Sequence, residues 1–250
     1  MTKGLRCGVA LLAALVLAAC GSAGGSGGGT AQLWVTRDQG ASVVLTATVP
    51  AGLTVLQALD READIKTRYG GRFVQSIQGI QGSLAAERDW FYFLNGIEPD
   101  VGAAEVTLHA GDIAWWDYRS WRQDQVQSVV VGAFPKPLTD GFDGKRRPIR
   151  VEAPDDPELQ KAAAGLAQLL GRGGGAGAPN VFCLVVLLGQ NAQGAELTAT
   201  RGTANDSPVT FVLAGSRAAV LAASRALVRD PAVVRYRYEA HFDDQGEVVR

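Results

Sequence analysis

The sequence is poor in the residues that usually carry chemistry. Its 250 residues include three cysteines, two histidines and one methionine. Cys7 and Cys20 fall in an N-terminal segment, so Cys183 is alone in the remainder and no internal disulfide can close there. It lies in the apolar run Val181 to Leu188, where a thiol behaves as a small hydrophobe rather than a nucleophile. His109 and His241 are far apart and neither has metal-ligand spacing. Gly171 to Gly177 has phosphate-loop glycines, but no Lys-Ser/Thr follows, and Pro179 stands where a helix N-terminus would be needed. Neither sign of charge dominates, since the formal net charge is −1. The largest basic cluster is Lys145-Arg146-Arg147, which argues against nucleic acid as a partner. No apolar run reaches the roughly 20 residues that span a bilayer. These absences leave no catalytic residue, metal ligand or resident cofactor to name, and the chain reads as a non-enzyme.

The N-terminus is more informative. Lys3 and Arg6 form a short positive region, and Val9 to Leu17 is an apolar stretch of secretory-signal length. Leu17-Ala18-Ala19-Cys20 looks like a bacterial lipobox, in which the thiol of Cys20 takes a diacylglycerol. Several acyl chains anchor stably where one does so only marginally. Residues 1–19 are therefore expected to be a cleaved signal peptide. Residues 20–30 read as the lipidated Cys20 and a flexible Gly/Ser linker. The chain is expected to be extracytoplasmic and held to the cell membrane by its lipid.

Two domains are expected after the linker. In residues 31–122, Leu33 to Thr36 and Ser42 to Val49 read as strands around the turn Asp38-Gln39-Gly40. Thr54 is placed to cap a helix whose apolar positions Val55, Leu56, Leu59 and Ala63 share a face. Strands follow at Arg72 to Gln78, Trp90 to Leu94, Glu105 to Leu108 and Ile113 to Tyr118, with Asn95-Gly96 as a tight turn. Asp112 reads as a turn cap and His109 as a solvated side chain. This order is that of a β-grasp, a mixed sheet curled over one helix. Residues 125–250 read as an α/β domain. Extended segments are expected at Val126 to Phe134, Pro148 to Glu152, Val181 to Leu188, Glu196 to Thr200, Val209 to Leu213 and Val233 to Phe242. Helices start at Asp155-Asp156-Pro157-Glu158 and at Ser216. The fold class is α+β.

The segments Gly52 to Leu59, Gly71 to Ile80, Trp90 to Gly96 and Gly102 to Trp116 together resemble the C-terminal domain of transcobalamin and intrinsic factor. They look closer still to the bacterial lipoprotein-borne version of that domain, whose function is generally unassigned. The resemblance implies a β-grasp fold and a corrinoid as a possible ligand. In the animal carriers this domain closes over cobalamin lying against a helical barrel, and that barrel has no counterpart here. Most matched positions are turns and strand starts, so they speak for the fold more than for the ligand.

Aromatic residues crowd into two neighbouring strands. Alternation sends Trp90, Tyr92 and Leu94 to one face and Phe91 and Phe93 to the other, with Trp116 and Tyr118 opposite Trp115. A helix covers one face only, so the other rings must meet solvent, a ligand or the second domain. Trp90, Tyr92, Asn95, Trp115, Trp116, Tyr118 and Trp121 are the candidate ligand-binding residues, able to stack on a flat, partly apolar ligand. The function expected is capture of a small molecule, with uptake as the role it would serve. The alternative is a module that docks a cell-surface protein.

Overall fold

The computed structural model describes residues 28–122, 127–141, 146–187, 193–204 and 207–249. Residues 1–19, expected to be a signal peptide, and Cys20 with most of the expected linker lie outside these residues, as do Lys145, Leu188 and Val126. Among the described residues no helix is long and apolar enough to cross a membrane.

The first unit opens with β1 (Thr30–Arg37) and β2 (Ser42–Pro50), an antiparallel hairpin. Its turn takes Asp38, Gln39 and Gly40 to positive φ. A Cβ on Gly40 would stand 1.5 Å from the carbonyl oxygen of Tyr236, so both conformation and space require glycine there. Helix α1 (Val55–Glu62) starts as the sequence predicts, with a reciprocal capping box between Thr54 and Gln57. It buries Val55, Ala58 and Leu59. Strands β3 (Ile65–Arg68), β4 (Phe73–Ile77) and β5 (Ile80–Gln81) form a small antiparallel sheet. Then come β6 (Arg88–Leu94) and β7 (Ile113–Ser120). The main sheet runs β2-β1-β7-β6, with β1 and β7 parallel at its centre.

Glu105 to Leu108, expected as a strand, is not one. Only Thr107 makes a bridge, to Thr54. The backbone of this segment serves the start of α1 instead. Val106 O accepts from Val55 N at 2.9 Å, Ala103 O from Leu56 N at 3.0 Å and Leu108 O from Gly52 N at 2.8 Å. The first amides of a helix have no partner within it, and here the chain supplies them from outside.

The second unit begins with a 3₁₀ turn at Val131–Ala133, inside the segment Val126 to Phe134 expected to be extended, followed by the short α2 (Lys136–Thr139). It continues through β8 (Ile149–Glu152), α3 (Pro157–Leu170), β9 (Asn180–Val186), β10 (Ala195–Arg201), β11 (Val209–Gly215) and α4 (Arg217–Arg229). The segment expected as one strand to Phe242 divides into a 3₁₀ turn at Pro231–Val234 and β12 (Ala240–Phe242), with β13 (Val248–Val249) after it. Pro231 and the positive φ of Tyr236 break the extended run. The sheet order is β13-β12-β10-β11-β9-β8, parallel across β8, β9 and β11 and antiparallel elsewhere. Asp156 and Ser216 cap α3 and α4. Glu158 does not reach back to complete a capping box; it pairs with Arg217 at 2.7 Å. The whole is α+β, with strands in three sheets.

The two larger sheets are joined by a shared aromatic core. Trp34, Phe93, Ile113 and Trp115 from the first unit pack with Val130, Ala133 and Tyr238 from the second. Asp117 is wholly buried there. Its carboxylate accepts from Thr36 at 2.5 Å, from the Gln39 and Gly40 amides at 3.0 and 3.2 Å, and from the Tyr238 hydroxyl at 3.1 Å. The last of these ties the C-terminal unit to β7.

Candidate functional site

The antiparallel register of β6 and β7 sets Trp90 opposite Tyr118, Tyr92 opposite Trp116 and Phe93 opposite Trp115. Successive side chains point to opposite faces, so the aromatic set divides in two. On the α1 side, ring centroids of Trp90 and Tyr118 are 5.3 Å apart and those of Tyr92 and Trp116 are 5.2 Å apart. On the other side Trp115 lies 5.6 Å from Phe93 and 5.7 Å from Tyr238.

The polar tips on the α1 side are satisfied with one exception. Trp90 Nε1 donates to Ile80 O at 2.9 Å, the Tyr92 hydroxyl to Val101 O at 2.7 Å and the Tyr118 hydroxyl to Gln81 O at 3.0 Å. Trp116 Nε1 is buried and has no hydrogen-bond partner. An unmet buried donor costs about 1–3 kcal/mol, so one that persists calls for a reason. Trp116 lines a cavity of about 210 Å³ with Trp90 and Tyr92. Phe73 borders it and is 41% exposed.

Arg72 and Glu98 add charge to the wall. Burial pushes the Glu98 carboxyl above the ordinary range, opposed by the guanidinium groups of Arg119 and Arg201. Glu98 also accepts two hydrogen bonds from the fully buried Arg119, at 3.0 and 3.1 Å. Burial, with the negative charges of Glu105, Asp100 and Glu98, drives the Tyr92 phenol far upward, so it stays protonated and keeps its donor. The cavity wall thus combines an aromatic plate, a tryptophan whose buried N–H is unpartnered, and the Glu98 carboxyl held by Arg119. It is smaller than the roughly 300–1,000 Å³ that encloses a drug-sized ligand. A small molecule or one projecting group of a larger molecule fits.

Of the seven sequence candidates, Trp90, Tyr92 and Trp116 line this cavity, and Tyr118 packs behind Trp90. Trp115 is wholly buried against the second unit, where its Nε1 donates to Thr36 at 2.7 Å. Asn95 is 3% exposed and is a latch. Its amide donates to Asp112 at 2.8 Å and its carbonyl accepts from Ile113 N at 2.9 Å. Asp112 also accepts from the His109 amide at 2.7 Å, the turn cap expected, while the His109 ring is solvated. Trp121 is exposed just beyond β7 and is not among the cavity's lining residues. Cys183, expected in the core, is half-buried and contacts Glu152 at 3.7 Å. Burial and that carboxylate push its thiol up, away from a reactive thiolate. Sequence reading missed Arg72, Phe73 and Glu98. They sit at the head of β4 and just after the Asn95-Gly96 turn, and only the crossing of these segments brings them together.

A search of curated proteins finds no match. Among solved structures, a provisionally assigned metal-binding protein from Ruminococcus gnavus aligns over 38% of this chain and 99% of its own, at 12% identity and a TM-score of 0.29. Haptocorrin in complex with Cbi aligns over 38% of this chain at 15% identity, again with a TM-score of 0.29. The alignment spans 26% of the haptocorrin chain. Superposition at that level carries no functional argument. Residues 52–120 match a family described as a domain of unknown function, DUF4430, and that span contains every residue lining the aromatic cavity.

Proposed function

We propose that the chain is a binding protein, tethered outside the cell membrane through Cys20, that captures a small, partly apolar ligand with its aromatic cavity. The observation that carries this reading is a cavity walled by Trp90, Tyr92 and Trp116, the last of which has a buried, unpartnered Nε1. An acceptor on the ligand would satisfy that donor while its apolar part lies on the rings. The sheet order with a central parallel pair, and the single helix packed across it, support a β-grasp reading of the first unit. A corrinoid is the first ligand to try. Its macrocycle exceeds the cavity, so a peripheral amide would enter toward Trp116 while the ring lies against Phe73. Uptake is the role such a tethered receptor would serve, with the reaction chemistry left to others. Docking of a cell-surface protein is the second reading. It is favoured by the exposure of Tyr69 and Phe73, whose ring centroids are 6.2 Å apart in an edge-to-face pair.

Titration of the purified chain with cobalamin and cobinamide, followed by tryptophan fluorescence and calorimetry, tests the proposal. Saturable binding at micromolar affinity or tighter is expected, with W116F weakening it up to about tenfold, the worth of one hydrogen bond. Binding that W116F leaves unchanged removes the cavity from the account. No saturable signal by either method retires the corrinoid.

A further inference from the structure

The C-terminal unit carries a second cluster of donors that is unrelated to the aromatic cavity. Glu196 lies on β10 directly across from His241 on β12. Glu239 is two residues before His241, at the bend that leads into β12. Residues opposite each other on antiparallel strands have Cβ atoms about 4.5–5.5 Å apart. The three donors therefore come from β10, from β12 and from the residue just before β12. One ligand atom from each of Glu196, Glu239 and His241 lies within 4.8 Å of the others. A tetrahedral ion with bonds of roughly 2.0–2.2 Å needs its ligands about 3.3 Å apart, which rotation of partly exposed side chains can close.

Three further observations bear on an ion. The ion pairs among the described residues leave Glu196 and Glu239 without a cationic partner, so two carboxylates share this corner uncompensated. Gln127 donates from Nε2 to Glu239 at 2.5 Å, and its Oε1 is buried with no partner. A hydrogen bond to a ligating carboxylate fixes its orientation, and an amide oxygen is itself a hard donor. His241 also lines two clefts, of about 540 and 860 Å³, so water has access to complete a coordination shell.

We propose that Glu196, Glu239 and His241 bind one first-row divalent cation, Zn²⁺ or Mn²⁺, with solvent in the remaining positions, one for tetrahedral Zn²⁺ and more for octahedral Mn²⁺. The imidazole nitrogen and the small number of oxygens suit these ions better than Ca²⁺, which takes six to eight oxygen ligands. Sitting across β10 and β12, the ion would fasten the end of the chain to its sheet.

The test is calorimetry of the purified full chain, stripped with chelator and titrated with ZnCl₂ and with MnCl₂. The variants are E196Q, E239Q and H241A. The two Glu→Gln changes keep the shape, and their metal-free circular dichroism and melting should match the parent, which separates lost ligation from lost folding. One equivalent bound at micromolar affinity is expected, weakened at least tenfold in each variant. Zn²⁺ should raise the melting temperature of the parent and not that of E239Q, since a ligand of the folded state alone stabilises it. Absence of saturable uptake of either ion overturns the proposal. So does uptake that any of the three variants leaves intact, because the ion then sits elsewhere or on fewer ligands.

Discussion

Two tryptophans of the same cluster make a sharp comparison. Trp90 and Trp116 are 5% and 3% exposed and both pack on the α1 side of the main sheet. They differ in what the indole N–H finds. Trp90 donates to Ile80 O at 2.9 Å, whereas Trp116 has no partner. Replacing either by Phe removes roughly 35–40 Å³ of ring, which at about 24 cal/mol per Å³ costs about 0.9 kcal/mol as cavity. That cost, and the lost transfer free energy, is common to both. W90F also breaks a hydrogen bond worth about 1 kcal/mol, while W116F removes an unmet donor that costs the parent about 1–3 kcal/mol. W116F should therefore be more stable than W90F by at least about 2 kcal/mol, and close to the parent. For a chain of this size that separates the melting temperatures by roughly 4–8 °C. Thermal unfolding of the two variants side by side, without added ligand, measures it. Equal losses would mean that Trp116 Nε1 has a partner in solution, and the argument for an acceptor-seeking cavity would fall with it.

The remaining predictions concern the joint between the units. Burial raises the Asp117 carboxyl above its ordinary range, against the hydrogen bonds from Thr36, Gly40, Tyr238 and Gln39. The folded chain thus holds this proton where an unfolded chain would release it. Its contribution is fully present below the ordinary carboxylate range and is lost as pH rises through the raised value. Urea melts of parent and D117N from acid to neutral pH should show the balance moving toward D117N as pH rises; a pH-independent difference refutes this. Gly40 in the β1–β2 turn and Gly71 in the β3–β4 turn share a positive φ, of 83° and 89°, but a Cβ on Gly40 meets the Tyr236 carbonyl at 1.5 Å whereas one on Gly71 meets nothing within 4 Å. G71A should cost about 1–2 kcal/mol from the left-handed backbone alone, and G40A about 1–3 kcal/mol more from forced displacement. Similar melting temperatures for the two variants would show that the turn yields without strain.

Local signals were read well. The capping residues Thr54, Asp156 and Ser216 sit where the sequence predicts, because a side chain and the amide two or three residues on decide a helix start. The alternation across Trp90 to Leu94 and Trp115 to Tyr118 correctly separated two aromatic faces. Glu105 to Leu108 is not a strand: its Val106 carbonyl is taken by the first residue of α1 and its Leu108 carbonyl by Gly52 just before that helix, partners more than forty residues earlier. Asn95 and Trp115 have the residue types of ligand contacts, but Asp112, Ile113 and Thr36 satisfy their polar groups, and composition cannot say that another part of the chain will do so. His241 was set aside for want of a sequence partner, and its partners are a neighbour two residues back and a residue across the sheet.

The sequence by itself determined the periodicities: which residues of a strand share a face, where helices start, and that the first unit carries more aromatic rings than one helix can cover. These are set by bonds and sterics within a few residues. Tertiary structure alone decided which face meets the second unit, which indole N–H is left unpartnered, and which carboxylates stand beside a histidine. Those outcomes depend on pairings between segments tens of residues apart, and the hydrogen-bond capacity of a side chain says only that it needs a partner, never where the fold will bring one.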